Sequence, residues 1–490
     1  MVSTAERVPA QLLFDLDRQD VEGRLSRVHK VCCPVDPMRR YWAGAEAVVT
    51  SAPQLATRLV QLGRLLEWSY GYRAPRHLGQ RLSRRAPSAG GLYPTETFLL
   101  VDTGAAWRVL YYHFIHQAFF AVPGTNAAAV AADLGLRPGE AAVLLVSALW
   151  RTVQRYGVRG YRYCLLDAAH VGWNLASVAQ RCGFAASAQT GGLTARAQES
   201  LGLEDGEALV LSMVLRPGAH EVSVPRPPRP KGLEHLLPPA AEDTPLLNPV
   251  LRRVDTFHGR TLGGDRATLP LSDPACWGPG TGLESWADDR YSAKNFRETS
   301  VPVALLERAA QAARDAVAAD GASAAGIGVH LIAVRVEGAP VGVGTLTDEG
   351  RLVWSGGPEW PSEAMARRVG AACQNQSIAE RSSFLLVLTA PWDDVLASGH
   401  AGYRPLVLAC GFAGAALYRE AVRLGLGTTT IGGFSDAAVA ALLRDPALHP
   451  VAIQAFGVPE LEAIKVDAAH VVWNSTPPEL RRRQRWGRTP

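Results

Sequence analysis

Two kinds of hydrophobic pattern alternate along the chain. Short runs at 141–149 (AAVLLVSAL), 207–215 (EALVLSMVL), 382–390 (SSFLLVLTA) and 451–458 (VAIQAFGV) are apolar almost throughout. Their length and β-branched content predict buried strands. Longer runs open at Gly160 (GYRYCLLDAAHVGWNLASVAQRCGFAASAQTGGLT) and at Gly402 (GYRPLVLACGFAGAALYREAVRLGLGTTTIGGFSD). In each, apolar residues return with a helical period until a glycine stops them. A short strand-like stretch follows, and a Gly-Gly pair closes it. The two segments lie roughly 240 residues apart, too long a period for a solenoid, which indicates duplication and a pseudo-twofold pair. Helices interleaved with a few strands predict an α+β or α/β fold in each half.

Proline marks the break between the halves. It is dense near 222–250 (VSVPRPPRPKGLEHLLPPAAEDTPLLNP), where missing N–H donors disfavour helix and sheet. Scattered Pro and Gly continue to about 285. The expected organisation is an N-terminal extension 1–55, a first domain 56–222, a Pro-rich linker 223–285, a second domain 286–460 and a tail 461–490. A length of 490 residues suits roughly two to four domains.

Composition narrows the partners. The chain is 47% hydrophobic and 20% charged, with a net charge of +4. That excess is too small to indicate nucleic acid, and the basic run ELRRRQRWGR reads as a solvated tail. The seven cysteines, at 32, 33, 164, 182, 276, 373 and 410, form no CxxC pair, so neither zinc nor a disulfide framework is expected. No signal pattern and no uninterrupted membrane-length apolar run is seen, so a cytoplasmic, reduced protein without a membrane partner is expected.

Four segments could carry chemistry. The loop RAPSAGGLYP at 85–94 combines proline with small residues, which lets backbone N–H groups approach a flat or anionic ligand; it also reads as a plain Gly-rich turn. In RYSAKNF at 290–296, Arg290, Ser292 and Lys294 alternate, so an extended segment would turn two cations and a hydroxyl to one side, which suits phosphate. A solvated helix start has the same composition. Arg155, Tyr156, Arg159, Tyr161, Arg162 and Tyr163 crowd ahead of a helix, either as a stacking and proton-transfer site or as an interface cluster. The glycine pairs Gly191-Gly192 and Gly432-Gly433 permit close backbone approach, as turns generally do. His170 lies among apolar helix positions, as core histidines do. Neither a P-loop nor a G-x-S-x-G elbow occurs.

Together these segments resemble the nitroreductase-like flavoenzymes, and among them the SagB-type azoline dehydrogenases of thiazole/oxazole peptide biosynthesis. PSAGGLYPTE is similar to that subfamily's PSAG-LYP loop, and YGVRGYRYCLLDAAHVGWNLA to its helix signature. RYSAKNF and LGLGTTTIGGF resemble the phosphate segment and Gly-Gly turn of the wider fold. The resemblance spans about 60–225 and 286–460. It implies an α+β fold of two fused nitroreductase-like domains forming a pseudo-dimer around FMN. Arg290, Tyr291, Ser292, Lys294, Gly432 and Gly433 would come from one half, and Pro87, Ser88, Ala89 and Gly90 from the other. The second half offers only ASAAGIG at 322–328 against the Pro-Ser loop, so one complete FMN site per chain and one decayed site are expected.

The family's catalytic Lys-Tyr pair aligns with Arg155-Tyr156, and with Ala397-Ser398 in the second half. Arginine is a poor base. Tyr156 would act as base or relay if neighbouring cations lowered its pKa. Arg155 would orient substrate or stabilise an anionic flavin. The implied reaction turns a peptide thiazoline or oxazoline into the azole, passing a hydride to flavin and electrons to oxygen. The implied partners are the azoline-bearing precursor peptide and a cyclodehydratase, with a further homodimer left open. Two other functions fit the same residues: an NAD(P)H-dependent flavin reductase or oxidase, and a non-catalytic peptide- or partner-binding scaffold.

Overall fold

The computed structural model describes residues 40–41, 45–73, 83–190, 195–218, 224–230, 249–262, 268–270, 290–318, 326–347, 349–355, 360–391, 393 and 399–460. The tail 461–490, most of the N-terminal extension and most of the linker lie outside these residues.

The first half starts with helix α1 (Pro53–Tyr70), whose proline occupies the first turn, where no N–H is needed. Strands β1 (Tyr72–Arg73) and β2 (Ser83–Arg84) pair beneath it. Then come β3 (Thr95–Asp102), β4 (Trp107–His113), β5 (Ala118–Ala121), α2 (Ala127–Leu134), β6 (Ala141–Ala148), α3 (Leu149–Tyr156), α4 (Arg159–Ala179), β7 (Phe184–Gln189), α5 (Ala195–Ser200) and β8 (Glu207–Pro217). After the prolines follow α6 (Pro249–Thr261) and β9 (Thr268–Pro270).

The second half contains β10 (Phe296–Arg297), β11 (Val301–Pro302), α7 (Val303–Ala318), β12 (Gly328–Ala333), β13 (Val336–Glu337), β14 (Gly342–Leu346), β15 (Leu352–Trp354), α8 (Ser362–Ala372), α9 (Ser377–Glu380), β16 (Phe384–Pro391), α10 (Gly399–Arg423), β17 (Gly427–Ile431), α11 (Asp436–Leu443) and β18 (Leu448–Pro459).

The two sheets repeat each other. The first runs β5-β4-β3-β6-β8-β7-β9, and the second β15-β14-β12-β16-β18, with β17 and β10 both on β18. Every pairing within them is antiparallel. Even the irregularity is duplicated: β6 slips register against β8 between Leu145 and Val146, and β16 against β18 between Leu388 and Thr389. Bulges of this kind are inherited features of a fold. Two α+β domains of the same topology are therefore fused in one chain.

Helices α4 and α10 run between the two sheets. Both are buried over most of their surface, which is why their sequences are apolar on nearly every face. By length and composition Ala401–Arg423 could cross a membrane, but it is mostly enclosed by protein. The helices meet through small residues: a Cβ placed on Gly411 would stand 2.5 Å from the Ala169 methyl. Gly411 and Ala169 hold equivalent positions in the repeat, as do Tyr161 and Tyr403, whose rings stack with centroids 6.3 Å apart. The pseudo-twofold axis passes between these pairs.

The linker departs from expectation. Once the prolines cease, Leu251, Val254 and Phe257 recur at helical spacing, and α6 buries all three. Strand β9 extends the first sheet by pairing with β7. Four of the seven cysteines, Cys164, Cys182, Cys373 and Cys410, are described; all are buried thiols.

Candidate active site between the two halves

Helix α3 ends on Tyr156 because Gly157 takes φ 60°, and so its last turn carries Arg155 and Tyr156. The loop 85–94 folds against that turn. A Cβ on Gly90 would stand 2.5 Å from Tyr156 Oη and 3.5 Å from Arg155 Nε, so only glycine fits. Gly91 is also left-handed, at φ 65°, but nothing among the described residues lies within 4 Å of where its side chain would be. The loop thus turns bare backbone to open space beside a phenol and a guanidinium.

Ser88 and Ala89 point the other way. Ser88 Oγ donates to Asp167 on α4 at 2.6 Å, and the Ala89 N–H donates to the same carboxylate at 3.1 Å. Ser88 Oγ also accepts from the Tyr93 N–H at 2.8 Å. These bonds hold the loop that half-buried Pro87 opens. The expectation that Pro87 to Gly90 all turn backbone to a ligand is corrected for Ala89, whose donor is committed to Asp167.

The second half closes the site from the other side. The Tyr163 ring stands perpendicular to Tyr156, with centroids 4.9 Å apart, and its hydroxyl donates to the Gly432 carbonyl. A Cβ on Gly432 would press on that ring at 3.3 Å, and one on Gly433 would meet Gln374 Oε1 at 2.8 Å. Gly90, Tyr156, Tyr163 and Gly432 therefore form one unbroken line across the halves. Just beyond, Arg159 makes a two-pronged bond to Asp436 at 3.0 and 3.1 Å, and Arg162 lies 3.6 Å from the same carboxylate. All three are buried, so this ion cluster is a fixed joint between α4 and α11.

Arg290, Ser292 and Lys294 do not form a single row. Arg290 Nε donates to the Arg85 carbonyl at 2.7 Å, at the base of the Pro-Ser loop, and its guanidinium carbon lies 5.3 Å from the Tyr418 ring centroid. Ser292 Oγ is 2.9 Å from Tyr418 Oη. Those two share Tyr418, whereas Lys294 is exposed at a bend. The bend lets Phe296 bury fully and pair β10 with β18, a demand that simple alternation ignores. Tyr291 packs half-buried on the second-half core.

Burial dominates the electrostatics. It raises the Tyr156 phenol above its ordinary pKa despite the opposing pull of Arg155. The condition on which Tyr156 would act as base, a pKa lowered by neighbouring cations, is not met: desolvation outweighs one guanidinium, and the phenol keeps its proton near neutral pH. Burial pushes Asp167 up to about 7, against the bonds from Ser88 and Ala89. It pushes His170 down to about 4, and His170 Nδ1 lies 2.6 Å from the Leu166 carbonyl. Asp436 goes the other way: although burial opposes it, Arg159 and Arg162 hold its carboxyl below the usual range.

Sequence reading did not single out Asp167, Tyr418 or Asp436. Arg159, Tyr163 and Asp167 are spaced four apart, so one stripe of α4 carries all three, and that spacing was the available signal for Asp167. Tyr418 and Asp436 stand out only once the halves are brought together. The pair Ala397-Ser398, the pair Gly191-Gly192 and residues 322–325 lie outside the described residues. The ring end of the composite site suits a flat ligand: Gly91 faces open space among the described residues, beside the hydroxyl and guanidinium of Tyr156 and Arg155. Arg290 and Ser292, gathered at Tyr418, offer the cation and hydroxyl a phosphate requires.

The nitroreductase family profile matches residues 58–218 and 287–458. The crystal structure of a nitroreductase from Anabaena variabilis ATCC 29413 superposes with a TM-score of 0.69 at 19% identity, covering 92% of this chain and 99% of its own. The E. coli microcin synthetase McbBCD complex with truncated pro-MccB17 matches at TM-score 0.30 and 17% identity, over 38% of this chain and 76% of the matched one. A nitroreductase family protein from Clostridium novyi NT matches at TM-score 0.27 and 17% identity, over 38% and 90%. No curated protein matches the sequence.

Proposed function

The chain belongs to the nitroreductase family, a fold of flavin-dependent oxidoreductases, and from that premise we propose that it is an FMN-dependent azoline dehydrogenase with one composite site. The observation that carries the reading is the meeting of the PSAGGLYP loop, through Gly90, with Tyr156, Tyr163 and the Gly432 turn. The substrate would be a thiazoline or oxazoline within a peptide, delivered by a cyclodehydratase partner. Loss of one proton and one hydride makes the ring aromatic, which supplies the driving force. FMN, when bound, would take the hydride and return two electrons to oxygen as peroxide.

Each residue then has a task. Gly91 would leave room for a ring stacked on backbone, and Gly90 lets the Tyr156 hydroxyl pack against the loop. Arg290 and Ser292 would hold the phosphate, with Lys294 at the rim. Tyr291, on the same segment, packs into the second-half core and holds that segment in place. Gly432 and Gly433 bring the second half's backbone to the ring, and Pro87, Ser88 and Ala89 hold the loop on Asp167. Arg155 is a permanent cation beside the ring and would orient the peptide carbonyl next to the azoline. Tyr156 holds its proton at Oη in neutral solution. As the base it must first lose that proton, so turnover rises with pH through and above neutrality.

The purified protein is expected to be yellow, with one flavin per chain. An azoline-bearing peptide in aerated buffer should lose two hydrogens, and Tyr156→Phe should lower the rate by about 10²-fold and flatten its pH rise. A colourless protein that FMN does not reconstitute, or two flavins per chain, would refute the composite site. Rapid anaerobic bleaching by NADPH with the azoline unchanged would point to a reductase instead.

A further inference from the structure

The repeat sets Arg404 on α10 where Arg162 stands on α4, each the third residue of a Gly-Tyr-Arg triplet. The stacked Tyr161 and Tyr403 and the facing Ala169 and Gly411 show that the two arginines are related by the pseudo-twofold axis. Each is fully buried, and each acts on the tyrosine of the opposite helix: Arg162 Nε donates to Tyr403 Oη at 3.4 Å, and the charge of Arg404 bears on Tyr161.

Their surroundings differ. Arg162 has the Asp436 carboxylate at 3.6 Å, the Pro450 carbonyl at 3.2 Å and His449 Nε2 at 3.1 Å. Asp436 is the first residue of α11, three positions past Gly433. The matching position past Gly192 is Ala195, the first residue of α5. The second copy has kept the arginine and lost its counter-ion. Nε, Nη1 and Nη2 of Arg404 are all buried, and none has a hydrogen-bond partner among the described residues.

Helix α6 covers this side. His258 Nδ1 is 2.9 Å from Tyr161 Oη, His258 Nε2 is 2.9 Å from Gln198 Oε1, and Thr261 Oγ1 is 3.1 Å from Tyr161 Oη. None of these groups is anionic. Burial, helped by Arg404, holds His258 neutral, with its pKa near 3. A guanidinium does not shed its proton, an isolated buried cation is costly, and no carboxylate among the described residues is paired with Arg404.

We propose that Arg404 binds a small monovalent inorganic anion of the halide class, enclosed beneath α6 in the place that Asp436 takes in the other copy. A single guanidinium calls for a single negative charge, and enclosure selects a small ion. The inference is independent of the proposed reaction.

The test is thermal unfolding of the full chain at constant ionic strength, in chloride against gluconate. Chloride should raise the melting temperature by on the order of 2 °C for each tenfold increase above its dissociation constant, and gluconate should not. Arg404→Met should abolish the difference. Ala195→Asp, which puts a carboxylate at the repeat position of Asp436, on the exposed first residue of α5, should also abolish it while raising the melting temperature in gluconate. That second variant decides the matter if the first does not fold. Crystals grown in bromide should show an anomalous peak at the Arg404 guanidinium. Equal melting of the parent protein in both salts, unchanged chloride dependence in both variants, or only water beside Arg404 in the bromide crystal would overturn the proposal.

Discussion

Asp167 shows how one buried group can hold a loop and also respond to pH. Its carboxylate accepts from Ser88 and Ala89, yet burial raises its pKa from 3.8 to about 7. Between those two values the folded chain binds a proton that the unfolded chain has released. Its contribution to stability therefore falls as pH rises through that window and levels off above it. Asp167→Asn cannot ionise and keeps a carbonyl acceptor. Urea unfolding at pH 5 and pH 8 should show a smaller loss of stability across the interval for the variant than for the parent. An identical slope in both would sink the assignment. The segments around Pro87 and Tyr156 were legible in the sequence because small residues, prolines and Arg-Tyr pairs are unusual enough to notice. Asp167 was not, because a lone carboxylate in a helix is ordinary until its partners are known.

At the scale of elements, the molecule depends on how closely α4 and α10 approach. Gly411 has no side chain where Ala169 has its methyl, which lets the helices cross without a gap. Gly411→Val should overpack the crossing and cost about 1–3 kcal/mol. Ala169→Gly should recover part of the loss in the double variant, as residues in contact do. Additive effects in chemical denaturation would show that the two positions do not touch. Helical periodicity announced both helices, and the Gly432-Gly433 pair marked the end of β17. Helix α6 was missed because proline around it masked a short apolar spacing at 251, 254 and 257.

Across the whole molecule, the ion cluster of Arg159, Arg162 and Asp436 ties one half to the other. Asp436→Asn leaves two buried guanidinium groups without a carboxylate, at a cost of about 3–5 kcal/mol. The expected result is a lower urea midpoint and weaker flavin retention, since the Gly432 turn lies just ahead of Asp436. An unchanged midpoint would mean that other contacts hold the halves. The duplicated sheets, with the same strand order and the same slip in register, give this joint its symmetry, and the loss of Asp436's counterpart at Ala195 breaks it.

The amino-acid order alone carried the duplication, the α+β class and the segments that resemble a flavin site. Those depend on local patterns, namely period, turn residues and spacing along one segment. Only the tertiary structure decided which groups meet: Gly90 with Tyr156, Tyr163 with Gly432, Arg290 with the base of the first half's loop, and Arg404 with no counter-ion among the described residues. It also decided that Tyr156 is neutral. Distances between halves and the removal of water from a phenol arise only when two distant stretches of chain fold against each other, and no periodicity along either stretch encodes them.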